Sequence, residues 1–149
     1  MELEKEINQK KFRSQQHKLA VNLIFTFNWL NEHQVNVLKP FDITLQQFNV
    51  LRILRGQNPQ PASVKLIRER MLDKMSDASR IVEKLRVKGL LSRTTCPDDR
   101  RACEVVISQK GMELLEKIDK TDEQLNKFFK NLSDDEVQNV NELLDKLRG

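Results

Sequence analysis

Residues 76–111, SDASRIVEKLRVKGLLSRTTCPDDRRACEVVISQKG, change their hydrophobic period twice, and this most constrains what the chain can fold into. Ala78, Ile81, Val82 and Leu85 recur at helical spacing, so they form one buried stripe. Gly89 follows and suits a left-handed helix stop. The period then drops to two. Leu91, Arg93 and Thr95 alternate with Leu90, Ser92 and Thr94. Beyond the polar loop Pro97–Ala102, Cys103, Val105 and Ile107 alternate with Glu104 and Val106. Ser108 then begins another helix. The segment is a helix, a hairpin and a helix with almost no spare residues.

The flanking sequence is helical. From His17 to Leu38, Leu19, Ala20, Leu23, Ile24, Phe27 and Leu30 make one apolar stripe, and Val21, Phe25 and Trp29 make a second. A helix apolar on two sides has to be covered on two sides, and in a chain of 149 residues a second subunit is the expected cover. Pro40 ends that helix. Thr44 to Gln47 has capping-box spacing and starts a helix with Leu45, Phe48, Leu51 and Leu54 inward, which Gly56 is expected to stop. Residues 57–62 read as a loop. Ser63 caps a short helix with Val64, Ile67 and Met71 inside, Asp73-Lys74-Met75 is a turn, and Ser76 is expected to cap the next helix, with Asp77 favourable at its positive end. Two short helices joined by such a turn are a helix-turn-helix. After the hairpin, the helix begun at Ser108 is expected to run to about Asn131. Ser133 to Glu136 is a second capping box, and Val137, Val140, Leu144 and Leu147 follow with the spacing of a coiled-coil seam.

The expected fold is mainly α with a small β-hairpin wing, a winged helix-turn-helix in a single domain over residues 1–149. The lobe spans about residues 42–109, between dimerisation helices at about 1–38 and 110–149.

Charge is unevenly distributed along this frame. Residues 61–110 carry 12 Lys/Arg against 7 Asp/Glu, whereas residues 111–149 carry 6 against 10. Basic charge concentrated on the helix-hairpin module is the footprint of a polyanion partner. The helix fits the major groove of duplex DNA, and a narrow ribbon tipped with arginine reaches the minor groove. Other classes find little support. Four Gly provide no phosphate loop, no nucleophile sits beside a base, and no metal-ligand cluster is spaced correctly, so neither an enzyme, a cofactor nor a metal is expected. His17 and His33 are 16 residues apart with no Cys or paired acid nearby. No apolar run approaches the ~20 residues of a membrane span, and the polar start MELEKEINQKKF reads as no secretory signal, so a cytoplasmic location is expected. Two Cys make no disulfide framework; Cys96 and Cys103 flank the wing, where they could meet across the hairpin or respond to oxidation, but two incidental thiols are the favoured reading.

The ordered set of these elements resembles the MarR (multiple antibiotic resistance regulator) family. The resemblance is carried by Ser76-Asp77-Ala78-Ser79-Arg80-Ile81-Val82, by Leu85-Arg86-Val87-Lys88-Gly89-Leu90-Leu91-Ser92-Arg93, by the wing motif Asp99-Arg100-Arg101, and by Val106-Ile107-Ser108-Gln109-Lys110-Gly111. It implies a homodimer whose terminal helices pair across a two-fold axis, binding a pseudo-palindromic operator. Many members are repressors released by small ligands, oxidants or metals. The family's oxidant-sensing members carry their cysteine near the N-terminal helix, where this chain has none. Ligands in the family lodge between the dimer helices and the DNA lobe, where Phe25, Phe27 and Trp29 are candidates, although core packing accounts for them better.

Site residues follow. On the recognition helix Ser76, Asp77, Ala78, Ser79, Arg80 and Lys84 are the expected DNA contacts, with Arg80 alternatively pairing with Asp77 or Glu83. On the wing the expected residues are Arg93, Asp99, Arg100 and Arg101; the resemblance assigns Arg101 to the minor groove and Asp99 to bracing it. Lys65, Arg68 and Lys74 are generic phosphate candidates. Leu19, Leu23, Phe27, Val137, Val140, Leu144 and Leu147 are the expected dimer residues. The expected partners are double-stranded DNA, a second copy of the chain and a small-molecule effector. The competing reading is a winged-helix protein-interaction module without operator binding.

Overall fold

A computed structural model describes residues 1–96, 99–121 and 127–149, with residues 95, 96 and 99–103 described by their backbone alone. In chain order the elements are α1 (Leu3–Glu6), α2 (Gln15–Leu38), a 3-10 turn (Lys39–Phe41), α3 (Leu45–Gln57), β1 (Ala62–Ser63), α4 (Val64–Arg70), α5 (Ala78–Val87), β2 (Leu91–Cys96), β3 (Asp99–Ile107), α6 (Gln109–Asp119) and α7 (Asp134–Arg148). Residues 127–129 form a further helical turn. The fold is a winged helix-turn-helix with N- and C-terminal helices.

Local chemistry explains most boundaries. Ser14, Thr44, Ser63, Ser108 and Ser133 each accept a backbone N–H three residues on, and Thr44–Gln47 and Ser133–Glu136 are complete capping boxes. At the end of α5, Gly89 adopts φ +73°, its N–H reaches the Arg86 carbonyl at 2.9 Å, and the Leu90 N–H reaches the Leu85 carbonyl at 3.0 Å. This paired closure needs a left-handed residue, which glycine adopts without a Cβ clash.

Four boundaries differ from expectation. Gly56 does not stop α3, which continues through Gln57; Asn58 leaves the helix because Pro59 follows it, and the proline ring disfavours helical backbone at the preceding residue. Asp77, not Ser76, caps α5. The helix begun at Ser108 ends at Asp119 rather than near Asn131, where the Thr121 N–H and hydroxyl both turn back onto the Ile118 carbonyl, at 2.8 and 2.7 Å, and replace the helical ladder. Residues 99–102, read as loop, have β3 backbone.

The sheet is antiparallel with strand order β1-β3-β2, so Ala62, at the end of the expected loop, and Ser63, the expected helix cap, add a third strand to the hairpin. Ala62 pairs with Val105 and Ser63 with Glu104, while Leu91 pairs with Ile107 and Arg93 with Val105. The core lies under this sheet. Val50, Leu51 and Leu54 of α3, Ile67 of α4, Val82 and Leu85 of α5, Val105 of β3, and Leu115 and Ile118 of α6 are essentially sealed from solvent. Arg55 bonds Asp119 at 2.6 Å, tying α3 to the end of α6. In contrast, α2 buries only Leu38 and α7 buries no residue. The lobe is covered by its own chain, and the two flanking helices are not.

Candidate nucleic-acid interface

The recognition helix α5 is held by its apolar stripe, which leaves one face outward. Asp77, Ser79, Arg80 and Lys84 are exposed. Ala78, also expected on this surface, is 1% exposed and packs in the core, because it falls on the stripe of Val82 and Leu85; its side chain belongs to packing. The Asp77 carboxylate accepts the Arg80 N–H at 3.1 Å, so this acid is committed to capping. Glu83 is taken by Arg86, whose Nε and Nη2 donate at 3.0 and 2.7 Å. The alternative pairing of Arg80 with Asp77 or Glu83 is therefore not formed, and Arg80 makes no ion pair with a described residue. The Arg86 hydrogen bonds, and then the charges of Arg86 and Arg93, hold the Glu83 carboxyl below its ordinary range. Arg93 lies on β2, paired in register with Val105 of β3, and its charge reaches Glu83 of the recognition helix.

The turn before α5 is ordered around Asp73, a residue with no expected role beyond the turn itself. Asp73 accepts the Met75 N–H at 3.0 Å through one carboxylate oxygen and the Ser76 hydroxyl at 2.8 Å through the other. These two bonds hold its carboxyl below the usual value. Ser76 is half-buried, with its hydroxyl engaged here. The Leu72 N–H is accepted by the Asn49 side chain at 2.9 Å, which fastens the turn to α3, and the Lys74 ammonium bonds the Glu69 carbonyl at 2.6 Å. An aspartate opening a turn is a legible signal for the bond to the second residue after it; the serine contact requires the folded turn. Lys65 and Arg68 of α4 are exposed.

The wing is placed by a close approach. A Cβ on Gly111 would lie 2.3 Å from the Leu90 carbonyl oxygen and 2.8 Å from Cγ1 of Ile107. Ser108 completes the stitch: its N–H reaches the Leu90 carbonyl at 3.1 Å, and its hydroxyl donates to the Gly89 carbonyl at 2.7 Å. The end of the recognition helix, the base of the hairpin and the start of α6 are one rigid junction. Asp99, Arg100 and Arg101 lie on the backbone of β3, with side chains outside the described residues. The register sets Cys103 opposite Thr95 and Cys96 opposite Asp99.

On the flanking helices, Leu19, Phe27, Val140 and Leu147 are exposed, and Leu23, Val137 and Leu144 are half-buried. Phe27 is 65% exposed and Ile24 62%. Trp29 and His33 of α2 pack on Phe128, with ring centroids 5.5 and 4.6 Å away, so Trp29 holds the 127–129 turn. Phe27 instead lines a cleft of about 420 Å³ between α2 and the lobe, with Asn31, Phe48, Arg52, Leu72 and Asp73 also at its walls. Among the described residues no group of His, Cys, Asp and Glu is arranged to hold a metal, and no helix is long and apolar enough to cross a membrane.

Comparison with known proteins agrees with this geometry. Residues 41–102 match the family model described as MarR family. The HTH-type transcriptional repressor IacR of Pseudomonas putida is 28% identical over 129 residues, covering 81% of this chain and 76% of that protein. A mutant of E. coli MarR complexed with operator DNA superposes with a TM-score of 0.72 at 25% identity, over 99% of both chains. An organohalide-sensing transcriptional regulator in its 2,4-dichlorophenol-bound form shares the fold, with a TM-score of 0.81 at 17% identity over 94% of this chain and 85% of that one.

Proposed function

We propose that the chain is a MarR-family winged helix-turn-helix DNA-binding transcriptional regulator, a cytoplasmic repressor that binds a pseudo-palindromic operator as a homodimer. The observation that carries the reading is the outward face of α5: Ser79, Arg80 and Lys84 are exposed, and Arg80 has no ion pair among the described residues. A guanidinium held on a helix sized for the major groove suits guanine or phosphate. The relative IacR is a repressor, and the E. coli structure holds operator DNA; both support the same role here.

Dimerisation follows from the uncovered helices. Apolar side chains stand exposed along α2 and α7, and a second copy of the chain is the proposed cover. Two lobes so joined meet half-sites about one helical turn, ~10 bp, apart. The cleft between α2 and the lobe is the proposed effector site, since its wall includes Leu72 and Asp73 of the turn that leads into α5. A ligand there acts on the pose of the recognition helix, and the dichlorophenol-bound neighbour supports an apolar aromatic effector.

The test is selection of duplexes from a random pool, followed by affinity at two salt concentrations. A palindromic consensus with a steep salt slope is expected. Arg101→Ala should weaken binding to all sequences, whereas Arg80→Ala should change the ranking among them. A monomer with no preference for any duplex would refute the reading and favour a protein-interaction module.

A further inference from the structure

We infer that Met75 is a specificity-determining residue that reads the 5-methyl group of thymine in the major groove. The inference rests on the DNA-reading role proposed above. Met75 stands two residues before the Asp77 cap, at the end of the recognition helix that enters the groove, and it is 93% exposed. Its backbone is nevertheless pinned: the amide donates to Asp73, whose other oxygen holds Ser76. Leu72, 86% exposed, lies in the same turn but lines the cleft against α2; Met75 lies outside that cleft. The two apolar residues of one turn therefore have different partners, Leu72 on the dimer-helix side and Met75 at the mouth of α5.

The chemistry selects the occupant. The exposed residues nearest Met75 along the chain, Lys74, Asp77, Ser79 and Arg80, are all polar, and of these Lys74, Ser79 and Arg80 suit phosphates and base-edge acceptors. The one apolar feature that a base pair presents in the major groove is the thymine methyl group. A flexible thioether on a fixed backbone can fill the space above it, and it is adaptable enough to pack without displacing the polar contacts. Asp73 is the positioning residue for this contact.

The experiment uses the full chain. Duplexes selected by the wild-type protein give a consensus, and each thymine in a half-site is then replaced by deoxyuridine, which removes only the methyl group. One position per half-site is expected to lose about fourfold in affinity, the value of one buried methyl-sized group, and about sixteenfold when both half-sites are changed. Met75→Ala should bind more weakly and be indifferent to that replacement, while Met75→Leu should keep the sensitivity. The salt slope should be unchanged in both, because no phosphate contact is lost. If no thymine is sensitive, or Met75→Ala keeps the full sensitivity, the inference is overturned while the regulator reading stands. If the wild type selects no consensus, the regulator reading itself fails, and this inference with it.

Discussion

Gly111→Ala tests the junction that holds the wing to the recognition helix. The added Cβ would sit 2.3 Å from the Leu90 carbonyl oxygen, against the 3.0 Å that real Cβ atoms respect, and the Ile107 side chain closes in at 2.8 Å. The nearer atom is backbone, fixed by the Ser108 N–H and by the strand that follows, so it cannot rotate aside. The start of α6 must retreat by about 0.7 Å, which loosens the Ser108 bonds to Gly89 and Leu90. Overpacking of this kind costs about 1–3 kcal/mol. Helix propensity acts in the opposite direction, because alanine is favoured over glycine by up to ~1 kcal/mol inside a helix and by less in its first turn. The net expectation is a loss of about 2 kcal/mol, a large share of the stability of a small domain. Urea unfolding followed by circular dichroism measures it, at one protein concentration because subunit association adds to apparent stability. A variant as stable as the wild type, or more so, would mean that propensity decides and the close approach does not.

Asp77→Ala should lower stability by about 1 kcal/mol through loss of the α5 cap, and Ser76→Ala by less, reversing the order expected from sequence; thermal melts of the two variants decide between them. The Asp73 carboxyl is held below its ordinary value, so its contribution is complete above the usual carboxylate range and is lost only as pH falls through the lowered value. Asp73 should therefore add no pH dependence to affinity for the selected duplex between about pH 6 and 8, and a pH profile of Asp73→Asn that runs parallel to the wild type over that range, offset in affinity, checks it. Leu147→Glu places a charge where the single chain already leaves the side chain exposed, so the lobe should fold normally. The dimer dissociation constant should rise about tenfold or more, read by sedimentation, if α7 is buried by a second copy.

Most of the fold was legible locally. Stripe spacing, capping serines and threonines, and the glycine after α5 are chemical facts of neighbouring residues, so helix starts and the order of elements followed from the sequence. The departures have separate causes. β1 is two residues of Ala and Ser, with no alternation of their own; they become a strand because the edge of β3 offers them a partner. Ser76 has the chemistry of a cap, but Asp73 captures its hydroxyl and shifts the cap by one residue. Gly56 has the chemistry of a stop, but Pro59 decides the boundary. Thr121 ends α6 by bonding back to its own helix, an outcome that spacing does not encode.

The candidate site divides in the same way. Sequence alone determined that a basic helix and hairpin stand together, because residue types and periods are properties of the chain. Which side chains face outward, and which are spent on one another, was decided by tertiary structure. Ala78 is withdrawn into the core, Glu83 is occupied by Arg86, Asp77 and Ser76 are engaged by the backbone and by Asp73, and Arg80 and Met75 remain presented. The physical reason is competition: a polar group has a limited number of partners, and only the folded geometry brings the competing partners within reach.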